Sequence, residues 1–234
     1  MKWHMQHQGK AHMERMYTSI VQPARQATAR LLLCAGLVLT VQATCAGFDE
    51  AAAAFAAGDY AKALQETRPL AEQGDPRGQY AMGVLYENGF GVTKDQHLAA
   101  AWYLKSAEQG NTDAQYNLGA MHEHGVGMPV NYPEAARWYR PAAEQGDIDA
   151  LSNLGVLYQN GQGVPQDKVL AMALYNVSVA SAGERKTQAV QNRQVLANQM
   201  SLDDVKKALA LTETLRKPGN LEPGLRAYLQ QPPR

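Results

Sequence analysis

The sequence predicts an all-α fold of tandem helical hairpins closed by C-terminal capping helices, on three observations. The tetrapeptide Ala-Glu-Gln-Gly occurs three times, with its glycine at Gly74, Gly110 and Gly146, 36 residues apart each time. Other glycines keep the same period: Gly83, Gly119 and Gly155, then Gly89, Gly125 and Gly161, then Gly91, Gly127 and Gly163. Between these glycines the apolar residues fall at helical spacing. A fixed period of this size marks a stacked-repeat architecture, in which each unit contacts mainly its neighbours.

Each unit reads as two helices. The first runs from about Pro76 to Glu87, with Gly78, Met82, Leu85 and Tyr86 along one face. It ends at Asn88-Gly89, an asparagine tolerant of positive φ followed by a glycine terminator, and Gly91 turns the loop back. The second helix opens near Asp95 as an N-cap and carries Leu98, Ala99, Trp102, Tyr103 and Ala107 before Gln109-Gly110 stops it. The same grammar predicts hairpins over 112–145 and 148–182. Trp102-Tyr103 recurs as Trp138-Tyr139 and, more weakly, as Leu174-Tyr175. A glycine inside a helix costs about 1 kcal/mol relative to alanine. Gly83, Gly119 and Gly155 therefore predict a close approach of the partner helix, with its Trp or Leu packed across the gap. Pro69 and Pro141 fall inside second helices, each after an arginine (Arg68, Arg140), and each removes one backbone hydrogen bond. They read either as bends that tune curvature or as tolerated local irregularities.

These residues resemble the Sel1-like repeat family, a relative of the tetratricopeptide repeat with a longer loop in each hairpin. The pattern is carried by Ala114-Gln-Tyr-Asn-Leu-Gly119, His124-Gly-Val-Gly127, Asn131, Ala135-Ala136-Arg-Trp-Tyr139 and Ala142-Ala-Glu-Gln-Gly146. The resemblance implies a right-handed α/α superhelix over 47–182: a degenerate first unit at 49–74, then 75–110, 111–146 and 147–182. Residues 183–234 then form capping helices and a tail. Glu184–Met200 reads as an amphipathic helix with Val190, Val195, Leu196 and Met200 inward. Ser201-Leu-Asp-Asp204 reads as a variant capping box opening a helix through about Leu215, and Leu221–Arg234 as a tail with a short helix.

Residues 1–46 read as a signal peptide and leader. Arg25 and Arg30 precede the apolar run Leu31–Leu39, and small residues follow to Ala46. The run is short for a membrane span. The leader is long, so translation could begin at Met13 or Met16. A lipoprotein anchor at Cys45 is the weaker reading, because Gln42-Ala43-Thr44 departs from the expected residues before it. Both cysteines, Cys34 and Cys45, fall in this segment, so the exported chain is expected to contain none. A branch of the Sel1-like family bridges each repeat with paired cysteines and is linked to β-lactam binding. The absence of such pairs weakens a transfer of that activity. The whole chain is neutral, with 22 basic and 22 acidic residues. Without residues 1–46 it keeps 17 basic and 21 acidic residues, a net −4, which argues against a nucleic-acid-binding role.

No nucleophile elbow, phosphate loop or paired-cysteine metal motif is present, so no catalytic residue, cofactor or metal is expected. His122-Glu123-His124 invites a metal reading. Yet His122 occupies the slot of Tyr86 and Tyr158, and His124 that of Asn88 and Asn160, where a positive-φ helix terminus suits it. Positions two apart on a helix also point to different sides. The better candidates are first-helix residues that the core does not require. Tyr80, Val84 and Glu87 share a face by spacing, as do Tyr116, Ala120 and Glu123, and Ser152, Val156 and Gln159, with Asn117 and Asn153 alongside. In helical-repeat solenoids the first helices line the concave groove, so these residues could form a partner-binding stripe. The alternative is that the tyrosines pack between repeats.

The expectation is therefore a periplasmic or secreted, monomeric adaptor or regulatory partner that binds another protein or peptide, without a stable membrane span after signal cleavage. Bacterial members of the family act in envelope signalling or host contact, and the resemblance permits either. The rival is an exported penicillin-binding or β-lactamase-like protein, which turnover of nitrocefin would reveal. A structural envelope spacer is a third reading.

Overall fold

The computed structural model describes residues 48–183 and 187–230, and everything reported below concerns those residues. They form eleven helices and no strand. A helix over 48–56 (α1) is followed by α2 (Tyr60–Glu72), α3 (Pro76–Asn88), α4 (Gln96–Glu108), α5 (Thr112–His124), α6 (Tyr132–Glu144), α7 (Ile148–Asn160) and α8 (Lys168–Ala182). The capping region adds α9 (Gln188–Ala197), α10 (Leu202–Leu215) and α11 (Leu221–Leu229). The chain divides into two compact units at Ala114, within α5. The signal-peptide and cysteine expectations fall on residues 1–47, outside the described residues.

Both helix starts in a unit are capped by side chains at the 36-residue period. Before second helices, Asp59, Asp95, Asn131 and Asp167 accept the backbone N–H of Lys62, Leu98, Glu134 and Leu170 at 2.8–3.2 Å. Before first helices, Asp75 accepts from Arg77 and Gly78, Asn111 from Ala114, and Asp147 from Asp149 and Ala150. Each such cap satisfies donors the helix itself cannot and is worth about 1 kcal/mol. The first helices end with glycine in the left-handed region, at φ 75° for Gly89 and 69° for Gly161. Among the described residues no non-glycine residue has positive φ, so Asn88 and His124 close their helices in ordinary helical geometry, against the expectation from sequence. The glycine one step on takes the left-handed conformation, and Asn88 instead donates to Val84 O at 2.9 Å.

In the first unit α2 packs on α3 and α3 on α4. The Gly83 gap is filled by Tyr103, whose ring atoms would lie 2.5 Å from a Cβ at that position. Trp102 is only half-buried, with Lys105 Nζ 4.3 Å from its ring centroid. The tyrosine, and not the tryptophan beside it, is therefore the residue the glycine admits. Phe55, Tyr60 and Phe90 form an aromatic trio in which the rings of Tyr60 and Phe90 stack at 4.2 Å. Gly91 lies against Tyr60 O, where a Cβ would come to 2.5 Å, so this glycine docks the hairpin loop on the preceding second helix as well as turning it.

In the second unit α7 packs on α6 and α8, and α8 also packs on α9 and α10. Tyr139 and Tyr175 fill the Gly119 and Gly155 gaps, with ring atoms 2.7 Å from where a Cβ would stand, as Tyr103 does at Gly83. Gly163 presses on Tyr132 and Pro133 as Gly91 does on Tyr60. The helices α2 and α6 run on through Pro69 and Pro141, whose carbonyls accept the N–H of Gln73 and Gln145. Ser201 Oγ accepts from Asp204 N at 3.1 Å, and its hydroxyl donates to the Asp204 carboxylate. In α9 the inward residues are Ala189 and Leu196, while Val195 is 54 % exposed, opposite to its expected direction. Ala189 and Leu196, seven residues apart, set the buried stripe, and Val195 lies about 100° away from Leu196 around the helix.

Candidate functional site

The tyrosine that fills each glycine gap also reaches a polar residue 16 positions earlier, near the end of the first helix. Tyr103 Oη donates to Glu87 Oε2 at 2.6 Å, Tyr139 Oη to Glu123 Oε2 at 2.6 Å, and Tyr175 Oη to Gln159 Oε1 at 2.8 Å. Asn153 Nδ2 adds a donor to Tyr139 Oη at 3.1 Å. Burial pushes the Tyr139 phenol far up, and the Glu123 carboxylate adds to that effect. The hydroxyl therefore stays protonated, donating to Glu123 while its oxygen accepts from Asn153. Each first helix thus carries a carboxylate or amide oxygen fixed by a buried phenol, a charge-assisted contact at two of the three positions.

The remaining candidates divide by burial. Tyr80 is 1 % exposed, with its ring centroid 5.6 Å from that of Tyr103. Ser152 is 4 % and Asn117 6 % exposed. Side chains so enclosed present almost no area to a partner. Tyr80 is enclosed within its own repeat, where its ring lies against that of Tyr103 in the gap left by Gly83. Tyr116, Glu123 and Asn153 are half-buried and converge on Tyr139, with Tyr116 tilted against it at 5.9 Å. Glu87 is half-buried on Tyr103. The second unit thus brings three of the seven candidate residues together.

A second periodic contact escaped the sequence reading. The glutamine of Ala-Glu-Gln-Gly reaches back to its own first helix: Gln109 Nε2 donates to Gln79 Oε1 at 2.7 Å, and Gln145 Nε2 to Gln115 Oε1 at 2.9 Å. Ser106 and Ser178 similarly donate to Pro76 O and Ile148 O. The available signal was the pairing of Gln79 with Gln115 at the repeat period, each 30 residues before its partner.

His122 is half-buried; its Nδ1 is buried with no partner, and burial lowers its basicity, only partly offset by Glu134. His124 is exposed, and Glu123 is held by Tyr139. Among the described residues no group of three or more His, Cys, Asp or Glu could hold a metal. No described helix is long and apolar enough to cross a membrane. A cavity of about 310 Å³ opens in the second unit beside Glu144, Leu151, Val177, Ser181 and Arg216, away from the tyrosine-anchored face.

Comparison with known proteins identifies the repeat. The Sel1 repeat family model matches residues 76–111, 112–147 and 148–178. The crystal structure of a Sel1 repeat protein from Oxalobacter formigenes is 32 % identical, with a TM-score of 0.59 over 67 % of this chain and 59 % of that one. A protective antigen present in uropathogenic Escherichia coli strains, displaying an SLR fold, is 29 % identical, with a TM-score of 0.45 over 74 % of this chain and 44 % of that one. The chain thus spans 59 % and 44 % of the lengths of these two bacterial proteins. No curated protein sequence matches it. Sel1 repeats typically mediate protein binding and are generally non-catalytic. With its three repeats, the chain belongs to the Sel1-like repeat family.

Proposed function

We propose that this chain is an exported, non-catalytic adaptor of the bacterial envelope that binds another polypeptide through its first-helix face. Tyr116, Glu123 and Asn153 form the centre of that face in the second unit. The observation that carries this reading is the phenol-anchored carboxylate: Tyr139 holds Glu123 at 2.6 Å while Asn153 holds Tyr139. A half-exposed acceptor fixed before binding loses little side-chain entropy when a peptide amide or a basic side chain engages it. The aromatic edge of Tyr116 beside it supplies apolar contact at small entropic cost. Glu87 occupies the equivalent place in the first unit.

Export rests on the Arg25, Arg30, Leu31–Leu39 and small-residue pattern. The test is capture from envelope extract with the purified chain as bait. A specific polypeptide should be retained by the native protein and by Arg137→Ala, and lost by Tyr116→Ala and Asn153→Ala. Equal retention by all four removes the proposed face. Turnover of nitrocefin above background would contradict the non-catalytic assignment.

A further inference from the structure

Among the described residues of the second unit, Arg140 is a half-buried cation without a carboxylate partner. Arg140 stands near the end of α6, is half-buried, and donates through Nη2 to Tyr158 Oη at 2.8 Å. Its Nε is buried with no hydrogen-bond partner. Among the described residues no carboxylate lies within ion-pair distance of it, although Arg77, Arg137, Arg216 and Arg226 each have one. The acidic groups whose fields reach Tyr158 are committed elsewhere. Asp167 caps α8 through Leu170 N at 2.8 Å, and Glu222 pairs with Arg226 at 3.5 Å.

An arginine cannot escape this situation by losing its proton. A partly desolvated guanidinium with an orphaned N–H costs free energy that an apolar side chain of the same length would not. The repeat does not demand it either. The equivalent positions hold Arg68, which is exposed, Leu104, which is 39 % exposed, and Asn176, which donates to Thr212. The planar fork matches a carboxylate in two-point contact, and Tyr158 fixes its orientation beforehand. Burial keeps the Tyr158 phenol protonated despite the adjacent guanidinium.

We propose that Arg140, oriented by Tyr158, is the anchor of an anion site for a carboxylate on an acidic peptide. The site is independent of the Tyr116–Glu123–Asn153 face and stands or falls separately from it.

The test uses the full chain and an acetylated, amidated Glu-Asp-Glu-Asp tetrapeptide as probe, with sulfate at equal ionic strength in a parallel arm. In the native protein the peptide should shift the Arg140 Nε–Hε resonance saturably and raise the thermal midpoint. Arg140→Met should weaken binding by about tenfold or more while leaving the peptide-free protein at least as stable as the native one. Tyr158→Phe, which keeps the guanidinium but removes its orienting acceptor, should weaken binding by about threefold to tenfold. No saturable shift in the native protein up to millimolar peptide overturns the proposal. So does an equal rise in midpoint for Arg140→Met, or a loss of peptide-free stability in that variant, which would make the charge a structural element. Saturation by sulfate with none by the peptide overturns the carboxylate assignment.

Discussion

Replacing Gly119 by alanine probes how the hairpin closes. In a solvent-facing helix this change stabilises by about 1 kcal/mol, through lower backbone entropy in the unfolded chain. Here the added Cβ would lie 2.7 Å from Cδ1 and Cε1 of Tyr139, closer than such atoms approach in folded proteins. The ring is 0 % exposed and cannot swing into solvent. Backbone adjustment to an inserted methyl in a packed core costs about 1–3 kcal/mol. If the ring retreats, its hydrogen bond to Glu123 at 2.6 Å is lost as well. A bond to a charged group is worth about 1.5–3 kcal/mol. Set against the propensity gain, the net loss is about 1.5–5 kcal/mol. Urea unfolding followed by circular dichroism reads it as a lower midpoint. Gly119→Ala combined with Tyr139→Leu should recover part of that loss, because the shorter side chain vacates the gap. A single variant as stable as the native protein, or more so, would refute the claim that close approach is what the glycine provides.

Four further outcomes follow from the same contacts. Tyr139→Phe should cost about 1.5–3 kcal/mol in chemical unfolding, whereas Tyr175→Phe should cost about 0.5–1.5, because the partner is charged Glu123 in one case and neutral Gln159 in the other. Asp147→Ala removes the acceptor of two first-turn N–H groups and should lower stability by about 1–2 kcal/mol, while Asp147→Asn should cost little. Burial depresses the His122 pKa in the folded protein, so the unfolded chain binds the proton more readily. Stability should therefore be full above the ordinary histidine value and fall as the pH drops below it towards the folded value. His122→Tyr, the residue found at positions 86 and 158, should remove that slope in thermal midpoints measured from pH 7 to 5. Residues 1–46 fused to alkaline phosphatase should give an enzyme active outside the cytoplasm, and an inactive fusion would contradict export.

The repeat was legible because glycine leaves little choice where a chain must turn left-handed or two backbones must nearly touch. Gly89 and Gly161 report the first need, Gly83 and Gly119 the second. The N-caps at Asp95, Asn131 and Asp167 were legible for the same reason, since a short polar side chain before a helical run has a local partner. Which aromatic enters each gap was not. Trp102 and Tyr103 are adjacent, differ by only about 100° around the helix, and both suit a core. The tyrosine prevails because its hydroxyl then meets Glu87, a partner whose position depends on how the two helices cross. The same limit applies to Tyr80, assigned by spacing to a binding stripe although its surroundings enclose it, and to Val195, which is exposed because the neighbouring helices cover Ala189 and Leu196 instead. Local grammar reads well from the chain. Burial set by neighbouring helices does not.

The central claim is that this chain works by presenting its first-helix face to a polypeptide. Its most direct test is site-specific photocrosslinking in intact cells, with benzoylphenylalanine at position 116 and, in parallel, at position 137 on the outer face of a second helix. The account predicts one discrete crosslinked protein at 116, absent at 137 and lost when Asn153→Ala is added. The same crosslinks at both positions, or none at 116 in cells where the chain is abundant, would contradict it.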